Sequence, residues 1–195
     1  MNVQLLSEPT HQFDAPRAAV VTTRLAELMG LYTRPAGKRI DGAVLGSVLA
    51  AAATAGLAEY VAAGDDAAAP SERTVRALLD TLLASPRPAH EIVNLVAIFG
   101  YSGLERLSGT SEPSLRRYAA EDRQTPDPVA RRLHFLATIV AILRGSFNAF
   151  GIRRWFERAH PALDGRAPAQ LLGPGIEPED DQSRAVMSAA LGLLA

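Results

Sequence analysis

YSGLERLSGTSEPSLRRYAAEDR, residues 101–123, is the stretch on which the reading of this chain turns. Leu104 and Leu107 give a short first helix its apolar side, and Gly109 supplies a turn. Ser111 is placed to cap a second helix whose Leu115 and Tyr118 face inward. A helix, a glycine turn and a second helix in about twenty residues is the helix-turn-helix spacing. In such a unit the N-terminal half of the second helix is the part offered to a DNA major groove, and Glu112, Ser114, Arg116 and Arg117 lie on its outward side. Arginine can take the guanine edge with two N–H groups, serine or a helix N-terminus can hold phosphate, and Arg123 adds a backbone contact just beyond. Ser111, Glu112, Ser114, Arg116, Arg117 and Arg123 are therefore the candidate DNA-binding residues. The same residues also fit a three-helix segment that merely carries arginines on its wet face, and the acidic Glu112 opposes phosphate.

Next comes DPVARRLHFLATIVAILRG, residues 127–145. Val129, Leu133, Leu136, Val140 and Leu143 form one apolar stripe, and Phe135, Ile139 and Ile142 form a second beside it. A helix apolar over so much of its circumference is either central in its domain or buried against a partner.

Upstream, the pattern is helical too, with no period-2 strand and no hairpin signal. Helices are expected near 15–29, 41–63, 71–84, 89–99, 102–108, 112–121, 127–145, 147–157, 167–172 and 179–194. The helix after Pro70 is the plainest: Ser71 can cap it, and Val75, Leu78, Leu79 and Leu82 recur at helical spacing. Residues 42–58 carry no charge, yet they are short for a membrane span of about 20 residues and mostly alanine and glycine, so a buried, close-packing helix is expected. GDDAAAP at 64–70 and SPRP at 85–88 read as linkers. The expected organisation is all-α and multi-helical: an N-terminal helical region over 1–87, a helix-turn-helix domain over 88–146 and a small helical domain over 147–195.

Composition narrows the chemistry. The 195 residues include no cysteine, which excludes disulfides, thiolate zinc sites and a cysteine nucleophile. The four histidines, His11, His90, His134 and His160, show no metal-binding spacing, and neither GxSxG nor a phosphate-cradling Gly-Lys-Ser/Thr loop is present. No enzyme activity, metal or cofactor is expected. The net charge of −1 is unevenly spread: residues 1–100 hold 8 basic and 10 acidic side chains, residues 101–160 hold 10 and 6, and the remainder hold 2 and 5. The middle is thus the basic part, and all its cations are arginine, the sign that suits phosphate. The opening MNVQLLSEPTHQFDAP lacks a basic start followed by an apolar run, so a cytoplasmic location is expected.

The last third contains WFERAHPALDGRAPAQLL, residues 155–172. The Gly-x-Ser-x-x-x-Leu-x-x-Tyr spacing from Gly109 to Tyr118 resembles the Xre-type helix-turn-helix of bacterial repressors. Two positions depart from it: Glu105 stands where a small residue is usual, and Ser108 where leucine is. With Trp155, Pro161, Leu163, Gly165, Arg166, Pro168 and Leu171 following in order, residues 95–195 resemble the Xre/MbcA/ParS family of type II antitoxins, whose C-terminal toxin-binding domain carries a tryptophan and then Pro-x-Leu-x-Gly-Arg-x-Pro-x-x-Leu. The resemblance implies a RES-domain, NAD-consuming toxin as partner, its active-site cleft covered by the antitoxin. It also implies autorepression through operator DNA, commonly as a homodimer. It says nothing of residues 1–87.

Physically, most of the pattern is scaffold. Pro161 and Pro168 suit the first turns of two short helices, Gly165 permits a tight turn, and Trp155 and Phe156 supply apolar area. Trp155, Pro161, Leu163, Gly165, Pro168 and Leu171 are thus candidate domain-shaping residues. The candidate toxin contacts are three arginines expected to be exposed, Arg153, Arg154 and Arg166, and the final amphipathic helix with Arg184, Met187, Leu191 and Leu194, which could lie in a partner groove or pack on its own domain. Two further readings stay open: a transcription regulator without a toxin, and a toxin-binding protein whose helix-turn-helix no longer binds DNA.

Overall fold

The computed structural model describes residues 14–58 and 69–194, with the side chain of Leu194 outside the description. All regular structure among the described residues is helical, and no helix among them is long and apolar enough to cross a membrane. The chain divides into two compact units, Met1–Pro86 and Arg87–Ala195.

In the first unit, α1 (Ala15–Leu28) packs chiefly on α3 (Glu72–Leu83) and also on α2 (Gly42–Thr54). Each starts at a side-chain cap: Asp14, Asp41 and Ser71 accept the N–H groups of Arg17, Val44 and Thr74. The core is built from Val21, Leu25 and Leu28 of α1, Val44 and Val48 of α2, and Val75, Leu78, Leu79 and Leu82 of α3. Glu27 sits between two cations, 3.0 Å from Arg24 and 2.9 Å from Arg34, while Arg34 also donates to the Lys38 carbonyl and so pins the loop after α1.

α2 is shorter than the helix expected over 41–63. It stops at Thr54 because Gly56 takes φ +75°, with Gly56 N–H bonded to Ala53 O and Leu57 N–H to Ala52 O, the two bonds of a Schellman ending. Residues 59–63 of the expected helix, and 64–68 of the expected linker, lie outside the described residues.

In the second unit, α4 (Pro88–Ser108) is interrupted at Gly100, whose φ of 70° and ψ of 169° divide it into arms over 88–99 and 101–108. Then follow α5 (Glu112–Ala119), α6 (Asp127–Leu143), α7 (Ala149–Glu157), a 3₁₀ turn at Pro161–Leu163, α8 (Pro168–Leu171), α9 (Asp181–Leu191) and a last 3₁₀ turn at Gly192–Leu194. α7 begins two residues later than expected, because Asn148 caps it by accepting the Gly151 N–H at 2.9 Å. α5 ends at Ala119, before the expected 121, where Glu121 enters the left-handed region at φ 58°.

α6 is the centre of this unit: every residue from Leu136 to Leu143 is buried. It packs on α4 and α9, which covers most of both apolar stripes and leaves Val129 and Phe135 half-buried. Its N-terminal turns also hold the following segment, since Arg131 and Arg132 lie 3.6 and 4.0 Å from Glu177. One polar pair crosses the core. The carboxylate of Glu91, fully buried on α4, lies 2.7 Å from Nδ1 of His134 on α6 and also accepts the Arg87 N–H at 3.1 Å. Removing either partner leaves a desolvated polar group behind, so the pair fixes where the start of α4 meets α6.

Candidate functional site

The turn between the second arm of α4 and α5 is tightly specified. Gly109 has φ 66°, and a Cβ there would come within 2.6 Å of Pro174 Cα, so glycine is required both by conformation and by space. Ser108, which stands where leucine is usual, is fully buried. Its hydroxyl donates to Leu104 O at 2.7 Å and accepts the Thr110 N–H at 3.2 Å, which satisfies it without solvent. Leu104, Leu107, Leu115 and Tyr118 are buried, and Glu105 is half-exposed.

Ser111 occupies the N-cap position of α5 but does not cap it. Its hydroxyl donates instead to Ser114 Oγ at 3.0 Å, correcting the expected role. At the next position, Glu112 Oε1 accepts both Nε–H and Nη2–H of Arg116, at 2.9 and 2.6 Å. The Arg116 guanidinium also lies over the Tyr101 ring, with Cζ 3.9 Å from the centroid. The hydrogen bond that Arg116 donates to Glu112 raises the Arg116 pKa above its ordinary value. Arg117 donates Nε–H to Pro113 O at 3.3 Å and is otherwise exposed, as is Arg123.

Sequence reasoning placed Glu112 and Arg116 but missed Tyr101. It lies on a different helix, and only the Gly100 break, which starts the second arm of α4 at Tyr101, sets its ring beneath the guanidinium.

Residues 155–172 form the second candidate region. Trp155 and Phe156 are buried and meet edge to face, with centroids 5.1 Å apart; Phe156 repeats that contact with Phe99 of α4, and His160 lies against the Trp155 ring at 5.0 Å. A loop then closes on itself. His160 N–H bonds to Arg166 O and Gly165 N–H to His160 O, while Asp164 and Gly165 are both left-handed. Imidazole Nε2 of His160 pairs with the Trp155 carbonyl at 2.8 Å, fixing the loop to the end of α7.

Pro161 opens the 3₁₀ turn and is exposed, Pro168 opens α8 and is buried, and Gln170 Oε1 accepts the Ala167 N–H at 2.8 Å. Leu163, Leu171 and Leu172 point into the unit. Most of the side chains that make this pattern recognisable therefore lie inside.

The candidate partner contacts are dispersed. Arg154 and Arg166 are exposed. Arg153, expected to be exposed, is instead half-buried, because it donates to Ile98 O at 2.8 Å and braces α7 against the first arm of α4. Arg184 is exposed but bonded to Asp181 and to the Glu179 carbonyl. On α9, Ser183, Val186 and Ala190 are buried and the helix packs on α6 and α8, which leaves Met187 and Leu191 half-buried at the margin of that contact. The Leu194 side chain lies outside the described residues.

Two positions join the regions. Pro174 closes on Gly109, and a crevice of about 10 Å³ between Leu107, Arg132, Phe135, Leu136, Leu172 and Ile176 lies along the same contact. That is below the roughly 300–1,000 Å³ of small-molecule pockets. Among the described residues no three His, Asp or Glu side chains are grouped to hold a metal ion. His11 lies outside them, and His90 is exposed.

Compared with protein-family models, curated proteins and solved structures, the chain gives no match.

Proposed function

We propose that this chain is the antitoxin of a type II toxin-antitoxin pair, neutralising a RES-domain, NAD-consuming toxin by covering its active site and repressing its own operon through DNA. In this reading α4's second arm, the Gly109 turn and α5 are an Xre-like helix-turn-helix. A cytoplasmic homodimer presents two α5 helices to half-sites about 34 Å apart.

The observation that carries the reading is a conjunction within the unit Arg87–Ala195. A glycine turn leads into a helix with Arg116 and Arg117 on its wet face, and the Trp155–Leu171 pattern, which resembles that of the Xre/MbcA/ParS antitoxins, follows, folded as an internal scaffold. Arg154 and Arg166 stand outside that scaffold, where a partner can reach them. The half-buried Met187 and Leu191 extend the same proposed toxin-facing surface.

The test is co-expression with the product of the adjacent reading frame. The expected result is rescue of growth and a stable complex on co-purification. A neighbour that is not toxic, or a toxic one that this chain neither rescues nor binds, overturns the antitoxin reading.

A second reading is a toxin-binding protein whose helix-turn-helix no longer contacts DNA. It is favoured by one observation: Glu112 already occupies two N–H groups of Arg116. A gel shift of the chain on its own promoter region separates the two.

A further inference from the structure

We infer that Tyr101 and Glu112 are positioning residues that present one free edge of Arg116 to a guanine in the major groove. The inference rests on the DNA-binding reading above and adds which base is read, by which atoms and with what support.

A guanidinium carries five N–H donors on two usable edges. Glu112 engages the side edge, Nε–H and one Nη2–H, on a single carboxylate oxygen. Three N–H groups are left, and two of them, one from each terminal nitrogen, form the distal edge, the pair that matches guanine O6 and N7. Tyr101 covers one face of the plane at 3.9 Å, so the group can neither roll nor swing without losing the ring. The side chain of Arg116 is 57% exposed despite these two restraints, so its distal edge is held in place and still accessible.

Glu112 thereby changes meaning. As an isolated carboxylate it repels phosphate; paired, it cancels the charge of Arg116 and converts a general phosphate-seeking cation into a directional hydrogen-bond donor. The consequence is a signature that a merely structural role does not give. Glu112→Ala should raise affinity for arbitrary duplex and steepen its salt dependence, because a cation is released. The same change should lower the preference for guanine.

The experiment is selection of a randomised duplex pool by the full chain, followed by gel shifts on the enriched duplex and its single-base variants. The expected result is one G·C pair per half-site whose replacement by A·T weakens binding roughly 5- to 150-fold, the range for a bidentate base contact. Arg116→Ala should abolish that preference. Tyr101→Leu should reduce it about 2- to 5-fold, as for loss of an exposed cation–π contact, while Tyr101→Phe keeps it. Glu112→Gln, which retains the acceptor oxygen, should hold the preference better than Glu112→Ala. Thermal melts confirm that each variant is folded.

An enriched site without a guanine, or a guanine preference unchanged in Arg116→Ala or in Glu112→Ala, overturns this inference and leaves DNA binding standing. A pool from which the unmodified chain enriches nothing overturns the DNA-binding reading, and this inference with it.

Discussion

α5 and the segment 155–172 use their distinctive residues in opposite directions. On α5 the apolar residues are few, Leu115 and Tyr118, and the chemistry is outside, where Arg116 and Arg117 are held by Glu112, Tyr101 and the Pro113 carbonyl. In 155–172 the recognisable residues are mostly inside: Trp155, Leu163, Pro168 and Leu171 are buried, while Arg166, and Arg154 just before the segment, are exposed. A recognisable pattern can thus mark a surface directly, or mark only the frame that holds a surface up. Substitutions distinguish the two, because a frame residue costs stability and a surface residue costs binding.

The largest effect is expected at Trp155. Trp155→Ala removes the contacts with Phe156 and His160 and should cost about 3–5 kcal/mol in a urea titration. A loss under about 1 kcal/mol would remove Trp155 from the frame.

Two glycines come next and can be compared with each other. Gly109→Ala meets both a left-handed φ and Pro174 Cα at 2.6 Å, so a loss of about 2–4 kcal/mol is expected, together with weaker DNA binding as the turn shifts. Gly165→Ala has φ +74° but nothing within 4 Å, so only the conformational cost of about 1–2 kcal/mol applies. Equal losses at the two sites would show that the contact with Pro174 contributes nothing.

The smallest change in stability belongs to Arg154→Ala combined with Arg166→Ala, within about 0.5 kcal/mol. That variant should nevertheless weaken toxin capture about tenfold or more, equivalent to about 1.4 kcal/mol. Toxin binding at full strength would move the partner surface away from these arginines.

Much of the helical architecture was legible because its signals are local. The cap Ser71, the spacing of Val75, Leu78, Leu79 and Leu82, and the turn at Gly109 each involve residues close in sequence. The end of α2 was missed although Gly56 marks it, because an uncharged alanine run offers no polar residue against which to judge periodicity. Ser111 sat at the right position for a cap, but its hydroxyl prefers Ser114.

What sequence could not supply were contacts between helices. The Glu91–His134 pair, the Arg153 bond to Ile98 O and the Tyr101 ring under Arg116 depend on how helices meet, and no spacing rule within one helix encodes them. The candidate site is therefore half-legible: the charged residues of α5 could be read, but the geometry that aims them could not.

The most direct measurement is a pair of assays on one protein, Arg116→Ala combined with Arg117→Ala. Both side chains are exposed, so the fold should survive their removal. The account predicts that the double variant no longer shifts its promoter region in a gel yet captures the toxin as the unmodified chain does. Retention of the shift, or loss of both activities from a variant that still melts normally, would contradict the division of labour between α5 and the C-terminal segment.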